Sequence, residues 1–582
     1  MRWKNYYVRT DLINDYIRLA VVSIGMGLAI GAATLGIHLL YEFYAHYVDI
    51  LLHVNRYFIL LLPTMGIPAA FVLVDQFSTT KASGGGSHRL LEAYHYEGGR
   101  MTLKDTVFEP LGAAVTVGFG GSAGFEGPSL LLGGGIGSLL GQRLGLGHDD
   151  LRIFLLSGAA AGVSAIFKAP LTGIMFALEI PFQRDLSREA FIPATLASIS
   201  AYLMSVRFLG IERLFPLLPG DWVPEPMLLV HAFLIGILTA AVGAVFVKLY
   251  EGMGKLKGRL GLNKLWYPVI GGFLVGVIGF FVPDVLGVGY ETIQAFVGGG
   301  VLGFSVGRIL LLVVLKMVAT CVTLNSGGSG GVFVPTLFVG AGLGALYTTL
   351  VPESGGTFLI VAAMASTLAA ANNTLLTSVA FVAETAGPSS LIFALVSAAT
   401  SYFVSQDVSF YEHVQPLDEL IEEEEAVHVL YHIVEKGENL HRLREVRVEE
   451  FMWSEPLVLP EGMRVSRAIK EARKSRFREY PVIRRNRLVG VVTLEDILTI
   501  PASKRDLTIG HLRMDFPQYV RLGDTLADLL PILMQGNKDC VWVVEDEERM
   551  KLVGVVSQTD VMLKLLETIE SEEPSPPEAK PK

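Results

Sequence analysis

The sequence predicts an all-α polytopic membrane domain of inverted repeats with broken helices, followed by a small paired α/β domain. Three observations carry this: a mean hydropathy of +0.47 over 582 residues, a step in charge near residue 410, and internal repetition on both sides of that step. A soluble chain of this length needs more charge to cover its surface. The 172 residues from 411 onward hold 33 acidic and 24 basic side chains, against 24 and 23 in the 410 before them. The net charge of −10 therefore belongs almost wholly to the tail, which argues against a nucleic-acid partner. With only two cysteines, Cys321 and Cys540, no disulfide framework is expected.

Taken in order, Arg2, Lys4, Arg9 and Arg18 precede an apolar stretch over 19–40. That stretch is long enough to span and lacks a small-residue cleavage site after a short core. It reads as an uncleaved first helix with its N-terminus in the cytoplasm of a multi-pass cell-membrane protein whose C-terminus is cytoplasmic too. Further apolar segments run near 57–74, 106–118, 127–141, 151–181, 191–209, 227–250, 266–282, 307–324, 332–350, 357–371, 374–386 and 390–404. Several fall short of the roughly 20 residues that a hydrocarbon core requires. Glycines break two of them: Gly118, Gly120, Gly121 and Gly124 in one place, Gly327, Gly328, Gly330 and Gly331 in another. Broken backbone at membrane depth is tolerated where protein buries it or where it lines a cavity, so these breaks mark a path.

The two breaks match. Gly121–Gly137 laid on Gly328–Gly344 without gaps gives eight identities in 17 positions, including a serine, a proline and three spaced glycines. A second pair follows at nearly the same offset, Leu171–Glu179 against Leu376–Glu384, each opening on Leu-Thr and closing on Glu. Repeats with an interrupted helix in each half place a site at the repeat interface. The tail repeats too: Arg487–Asp496 matches Lys551–Asp560 at an offset of 64, and each unit reads as βαββα. The expected division is a transport domain over 1–411, a charged linker over 412–445, paired units over 446–500 and 501–568, and a disordered Glu/Pro-rich tail over 569–582.

In Gly124-Phe125-Glu126-Gly127-Pro128 a lone carboxylate stands at the start of an apolar helix. Proline in the first turn costs no backbone bond, and the free N–H groups of a helix start form an anion site. The Glu126 side chain can occupy that site itself, and protonation then releases it. An intramembrane acid is a functional candidate by default; the structural alternative is an acid merely favoured by the helix dipole. The partner break, Gly331-Val332-Phe333-Val334-Pro335, lacks an acid but offers the same free amides, with those of Val332 and Phe333 facing the path. A third run, Ser83 to His88, also precedes a helical pattern.

Together these runs resemble the CLC family of chloride channels and proton-coupled chloride exchangers. The family's marks are Gly-Ser-Gly-Ile-Pro, Gly-Lys/Arg-Glu-Gly-Pro and Gly-x-Phe-x-Pro runs and a tyrosine after the last membrane helix. Here they stand in order as Gly84-Gly85-Gly86-Ser87-His88, Gly124–Pro128, Gly331–Pro335 and Tyr411. The tail resembles a pair of CBS domains. The resemblance implies a homodimer in the lipid bilayer with one chloride path per subunit. It makes Glu126 the gating glutamate, sets Gly85 and Gly86 at the central ion, and gives Val332 and Phe333 amide roles and Tyr411 a hydroxyl role.

Three departures follow. The family's ion-binding serine falls on Gly85, so a backbone amide, Ser83 or Ser87 must substitute. Phe125 replaces the basic residue before the gating acid, which weakens the expected positive potential. Glu179 matches the first of the exchangers' two adjacent acids, but Ile180 stands at the second, the inner proton-acceptor position, and cannot titrate. That resembles the channels, although exchangers lacking this acid also exist, and protons are a partner in the antiporter reading.

In the tail, Thr493 with Asp496 and Ser557 with Asp560 each put a hydroxyl and a carboxylate at a helix start. Structural capping has the same pattern. In CBS pairs it resembles a site for a regulatory adenine nucleotide (ATP, ADP or AMP), with no cofactor required for transport. The leading expectation is a glutamate-gated chloride channel with weak or absent proton coupling. Its alternatives are a proton/chloride antiporter, a fluoride-selective exchanger, a CBS-regulated divalent-cation transporter and a membrane-tethered nucleotide sensor. The cation reading needs several inward acids, whereas the intramembrane acids are Glu109, Glu126, Glu179 and Glu384. No hydrolytic or redox constellation points to an enzyme.

Overall fold

The computed structural model describes residues 12–79, 86–217, 226–261, 263–299, 303–352, 356–405, 408–416, 443–454, 456–472, 479–498, 500, 505–512, 514–534 and 540–570. The chain divides into two units, Met1–Glu419 and Leu420–Lys582. Gly85 and most of the expected 412–445 linker lie outside the described residues, as do residues 571–582.

Among the described residues the first unit holds sixteen α-helices, which fall into two sets of eight. The first set is α1 (Leu12–Val54), α2 (Phe58–Phe77), α3 (Gly86–Tyr96), α4 (Leu103–Gly118), α5 (Glu126–Arg143), α6 (His148–Phe167), α7 (Pro170–Glu179) and α8 (Phe191–Leu209). The second is α9 (Pro226–Leu260), α10 (Trp266–Phe281), α11 (Tyr290–Val297), α12 (Val306–Ser326), α13 (Phe333–Leu350), α14 (Thr357–Asn372), α15 (Leu375–Thr385) and α16 (Leu391–Val404). By length and composition, seven of the described helices suit a membrane crossing, and five shorter apolar ones accompany them.

The packing repeats with the sequence. Helix α1 lies on α6 and α8 as α9 lies on α14 and α16, and α5 lies on α6 as α13 lies on α14. The glycines that match between the repeats sit at the same contacts. Gly133 and Gly137 press on the backbone of α6, Gly340 and Gly344 on that of α14, while Gly135 meets Thr106 of α4 and Gly342 meets Val313 of α12. Lipid tails are as apolar as leucine, so small residues that let backbones approach supply the packing.

Two segments differ from expectation. Helix α1 runs well past residue 40 because no glycine or proline breaks residues 41–54, and His38 pairs with Glu42 at 3.1 Å one turn along. The single segment expected over 151–181 is two helices, since Lys168 turns left-handed (φ +55°) and Pro170 cannot continue α6. Asn373 makes the same turn at φ +55° between α14 and α15.

The second unit has two three-stranded sheets. In the first, β1 (Leu459–Pro460) runs parallel to β2 (Glu479–Arg484), which pairs antiparallel with β3 (Arg487–Thr493). Helices α17 (Val465–Ala472) and α18 (Leu494–Leu498) complete it. In the second, β4 (Tyr519–Arg521), β5 (Cys540–Val544) and β6 (Leu552–Ser557) repeat that order, with α19 (Leu526–Met534) and α20 (Gln558–Glu570). Leu488 and Val491 of the first sheet pack with Trp542 and Val555 of the second, so the two βαββα halves share a core.

Candidate functional site

The N-termini of α3, α5 and α13 converge inside the first unit. A β-carbon on Gly127 would lie 3.3 Å from Gly86 N, 3.4 Å from Ser87 Oγ and 3.5 Å from Gly331 Cα. Free N–H groups from three helix starts thus surround one small volume, where a negative charge is favoured.

The acid there is Glu126. It is wholly buried, and its Oε1 accepts from Phe333 N at 2.6 Å. The amides of Glu126 itself and Val334 also face it. Its Oε2 is buried with no hydrogen-bond partner. A β-carbon on Gly124 or on Gly331 would fall on the carboxylate, which is why both positions are glycine. The donor in hydrogen-bond geometry is the amide of Phe333, one of the expected pair Val332 and Phe333. Val332 is the capping residue before α13, and its carbonyl accepts from Thr336. The Phe333 ring packs among Phe167, Phe176 and Phe381, with ring centroids 5.1–5.5 Å apart, and this aromatic block excludes water beside the site.

On the side of α3, Tyr411 is buried and its hydroxyl bonds Ser87. Its ring stands 5.3 Å from that of His88, whose Nε2 meets the carbonyl of Phe410 at 2.9 Å. Gly86, Ser87 and Tyr411 are therefore neighbours of the Glu126 site. Asp105 anchors both flanks of the run before α3: its carboxylate accepts from Ser78 Oγ, from Thr79 N and Oγ1, and from Arg89 at 3.4 Å.

Ile180 is fully buried and offers its carbonyl to Gln415. Glu179, its neighbour, is committed elsewhere: its carboxylate accepts from Leu376 N and Thr377 N, each at 2.9 Å, and from Thr377 Oγ1 at 2.7 Å. Glu384 does the same in reverse, accepting from Leu171 N at 2.9 Å, Thr172 N at 2.8 Å and Thr172 Oγ1 at 2.7 Å. Each repeat's terminal acid caps the first turn of the other repeat's short helix.

Sequence reasoning missed Lys316. It lies wholly buried in α12 and interacts electrostatically with Glu126. The available signal was one lysine in the middle of an apolar run, which is as anomalous as an intramembrane acid.

In the second unit, Asp496 Oδ2 accepts from Thr493 N at 2.9 Å and Oγ1 at 2.6 Å, and Asp560 Oδ2 accepts from Ser557 N at 2.9 Å and Oγ at 2.7 Å. Thr525 and Asp528 form the same geometry, at 2.9 and 2.7 Å, before α19. This is helix capping, and it occurs at a start that the expected nucleotide motif does not include.

Comparison with known proteins completes the picture. The family model described as voltage gated chloride channel matches residues 66–406, and the CBS domain model matches 448–503 and 509–567. The voltage-gated ClC-type chloride channel ClcB of Shigella flexneri is 26% identical over 366 residues, 61% of this chain and 86% of that protein. A crystal structure of a CLC-type fluoride/proton antiporter aligns with a TM-score of 0.62 at 26% identity, covering 71% of this chain and 100% of that one. A crystal structure of a eukaryotic CLC transporter aligns over 94% of this chain and 98% of that one, with a TM-score of 0.59 at 20% identity, a likeness of fold.

Proposed function

The chain belongs to the voltage-gated chloride channel family and carries two CBS domains, and on that premise we propose that it conducts chloride along a path gated by Glu126, with weak or absent proton coupling. One observation carries the reading. The Glu126 carboxylate occupies an amide site that suits an anion, with one oxygen bonded and the other buried without a partner. Such a group competes with chloride while charged and yields once protonated. Ser87, bonded to Tyr411 beside that site, supplies the hydroxyl that Gly85 lacks.

Weak coupling follows from two buried groups. Ile180 carries no proton, and Glu179 is tied to the first turn of α15. Adjacent helical residues also point about 100° apart, so Glu179 does not replace an acid at 180. A second reading, proton-coupled antiport, draws support from the 26% identity to a protein described as a fluoride/proton antiporter. A reversal-potential measurement on proteoliposomes under opposed chloride and pH gradients decides between them. No shift with pH is expected; a shift toward the proton equilibrium potential establishes antiport.

The same reading makes the protein a homodimer in the cell membrane with cytoplasmic termini. It gives the CBS pair a regulatory adenine nucleotide near Thr493, Asp496, Ser557 and Asp560.

A further inference from the structure

Lys316 is fully buried, and among the described residues no carboxylate comes within ion-pair distance of it. Its ammonium donates instead to three carbonyls of one loop: Gly287 at 2.9 Å, Val285 at 3.2 Å and Val288 at 3.3 Å. It also stands 5.1 Å from the centroid of the Phe338 ring on α13. Gly287 and Gly289, at φ +59° and +88°, curl that loop around it, and a β-carbon on Gly289 would lie 3.3 Å from the ammonium. Three carbonyl dipoles satisfy its protons without removing its charge, and a buried charge without a counter-charge is costly.

Helix α13 relates Lys316 to Glu126: Phe333 N at its start bonds that carboxylate, and Phe338, five residues on, carries the ring beside the ammonium, so the two charges interact electrostatically. The same loop lines an open cavity of about 470 Å³ with Tyr41, Tyr290 and Glu291. Two of its lining residues are related to the Glu126 site. The Tyr41 ring meets the Phe125 ring edge-on at 4.8 Å, and Tyr290 interacts electrostatically with Glu126. The cation is therefore buried behind the loop that lines this cavity.

We propose that Lys316 is the fixed counter-charge of the anion path. The seated carboxylate of Glu126 balances it when the path is closed, and the transported anion balances it when that carboxylate leaves. One anion then replaces another at constant buried charge. The second repeat supplies the positive potential that Phe125 does not. This rests on the reading of Glu126 as the occupant of the amide site, and Lys316, whose protons are all engaged, acts through its charge and not as a ligand.

Chloride titration calorimetry on the full-length protein in detergent tests it, in the Glu126→Gln background where the competing charge is gone. Lys316→Gln keeps amide donors for the loop but removes the charge; Lys316→Arg keeps the charge but alters the bonds. Loss of a unit charge at protein dielectric is expected to weaken chloride binding about tenfold in Lys316→Gln, while Lys316→Arg stays within about threefold. Binding by Lys316→Gln equal to that of Glu126→Gln alone overturns the proposal and leaves Lys316 as a loop anchor. If Lys316→Gln does not fold, the Arg variant decides: retained affinity supports the charge, and lost affinity overturns it. If Glu126→Gln itself binds no chloride, the amide-site reading fails first and the counter-charge falls with it.

Discussion

Gly124 and Gly331, the same position in the two repeats, exchange both backbone hydrogen bonds, each at 2.9 Å. This antiparallel pair joins the two breaks at one point. It sets Glu126, two residues on in the first repeat, against the amide of Phe333, two residues on in the second. The amide site is thus shared between halves that lie some 200 residues apart in sequence.

Replacing Glu126 by Gln or Ala should give anion flux that no longer depends on external pH. In the wild type, acidification neutralises the competing carboxylate, so flux should rise as pH falls. Flux assays in proteoliposomes across a pH series check this. A mutant that keeps the wild-type profile removes Glu126 from the gating role.

The hydroxyl beside the site sets the next expectation. Hydrogen bonds to charged groups contribute about 1.5–3 kcal/mol, so Ser87→Ala should weaken chloride relative to nitrate measurably. Gly85→Ser should shift the preference the opposite way. Bi-ionic reversal potentials read both, and unchanged selectivity with intact flux means that neither residue lines the site.

The reciprocal caps are structural. Glu384→Ala removes bonds to Leu171 and Thr172, and Glu179→Ala removes those to Leu376 and Thr377. Each should cost about 1–2 kcal/mol of stability, seen as a lower thermal midpoint in detergent. Glu179→Gln should leave the reversal potential unmoved by pH; if it changes proton movement, Glu179 is a relay after all.

Proton coupling itself is open to a direct measurement. With a steep chloride gradient across proteoliposomes, sustained uphill proton movement abolished in Glu126→Ala would make the protein an exchanger. The expected outcome is none, because Ile180 has no proton to pass on.

In the CBS pair, Asp496→Asn or Asp560→Asn should reduce adenine-nucleotide binding by the full-length protein, read by calorimetry. Asp528→Asn should not, although it breaks the same cap. Hydrogen bonds from the Thr525 hydroxyl and amide hold the Asp528 carboxyl below its ordinary range. Its contribution to stability is therefore present above the ordinary aspartate value and is lost as pH falls through the depressed one. Asp528→Asn should accordingly flatten the acid limb of the unfolding curve. Absence of heat with ATP, ADP and AMP in the wild type ends the nucleotide reading.

The sequence by itself determined the membrane character, the two repeats and the breaks, because hydropathy, glycine spacing and helix-start chemistry are local. Gly133 and Gly340 marked the repeat, and Glu126 announced a charge at a helix start. What each group meets was decided by the tertiary structure alone. Glu179 and Glu384 cap each other's repeats through contacts about 200 residues apart. Lys316, on a different helix, interacts electrostatically with Glu126. Neither relation leaves a mark in local spacing, since charges and helix ends find partners through space, and the packing of the two halves against each other settles which partners are in reach.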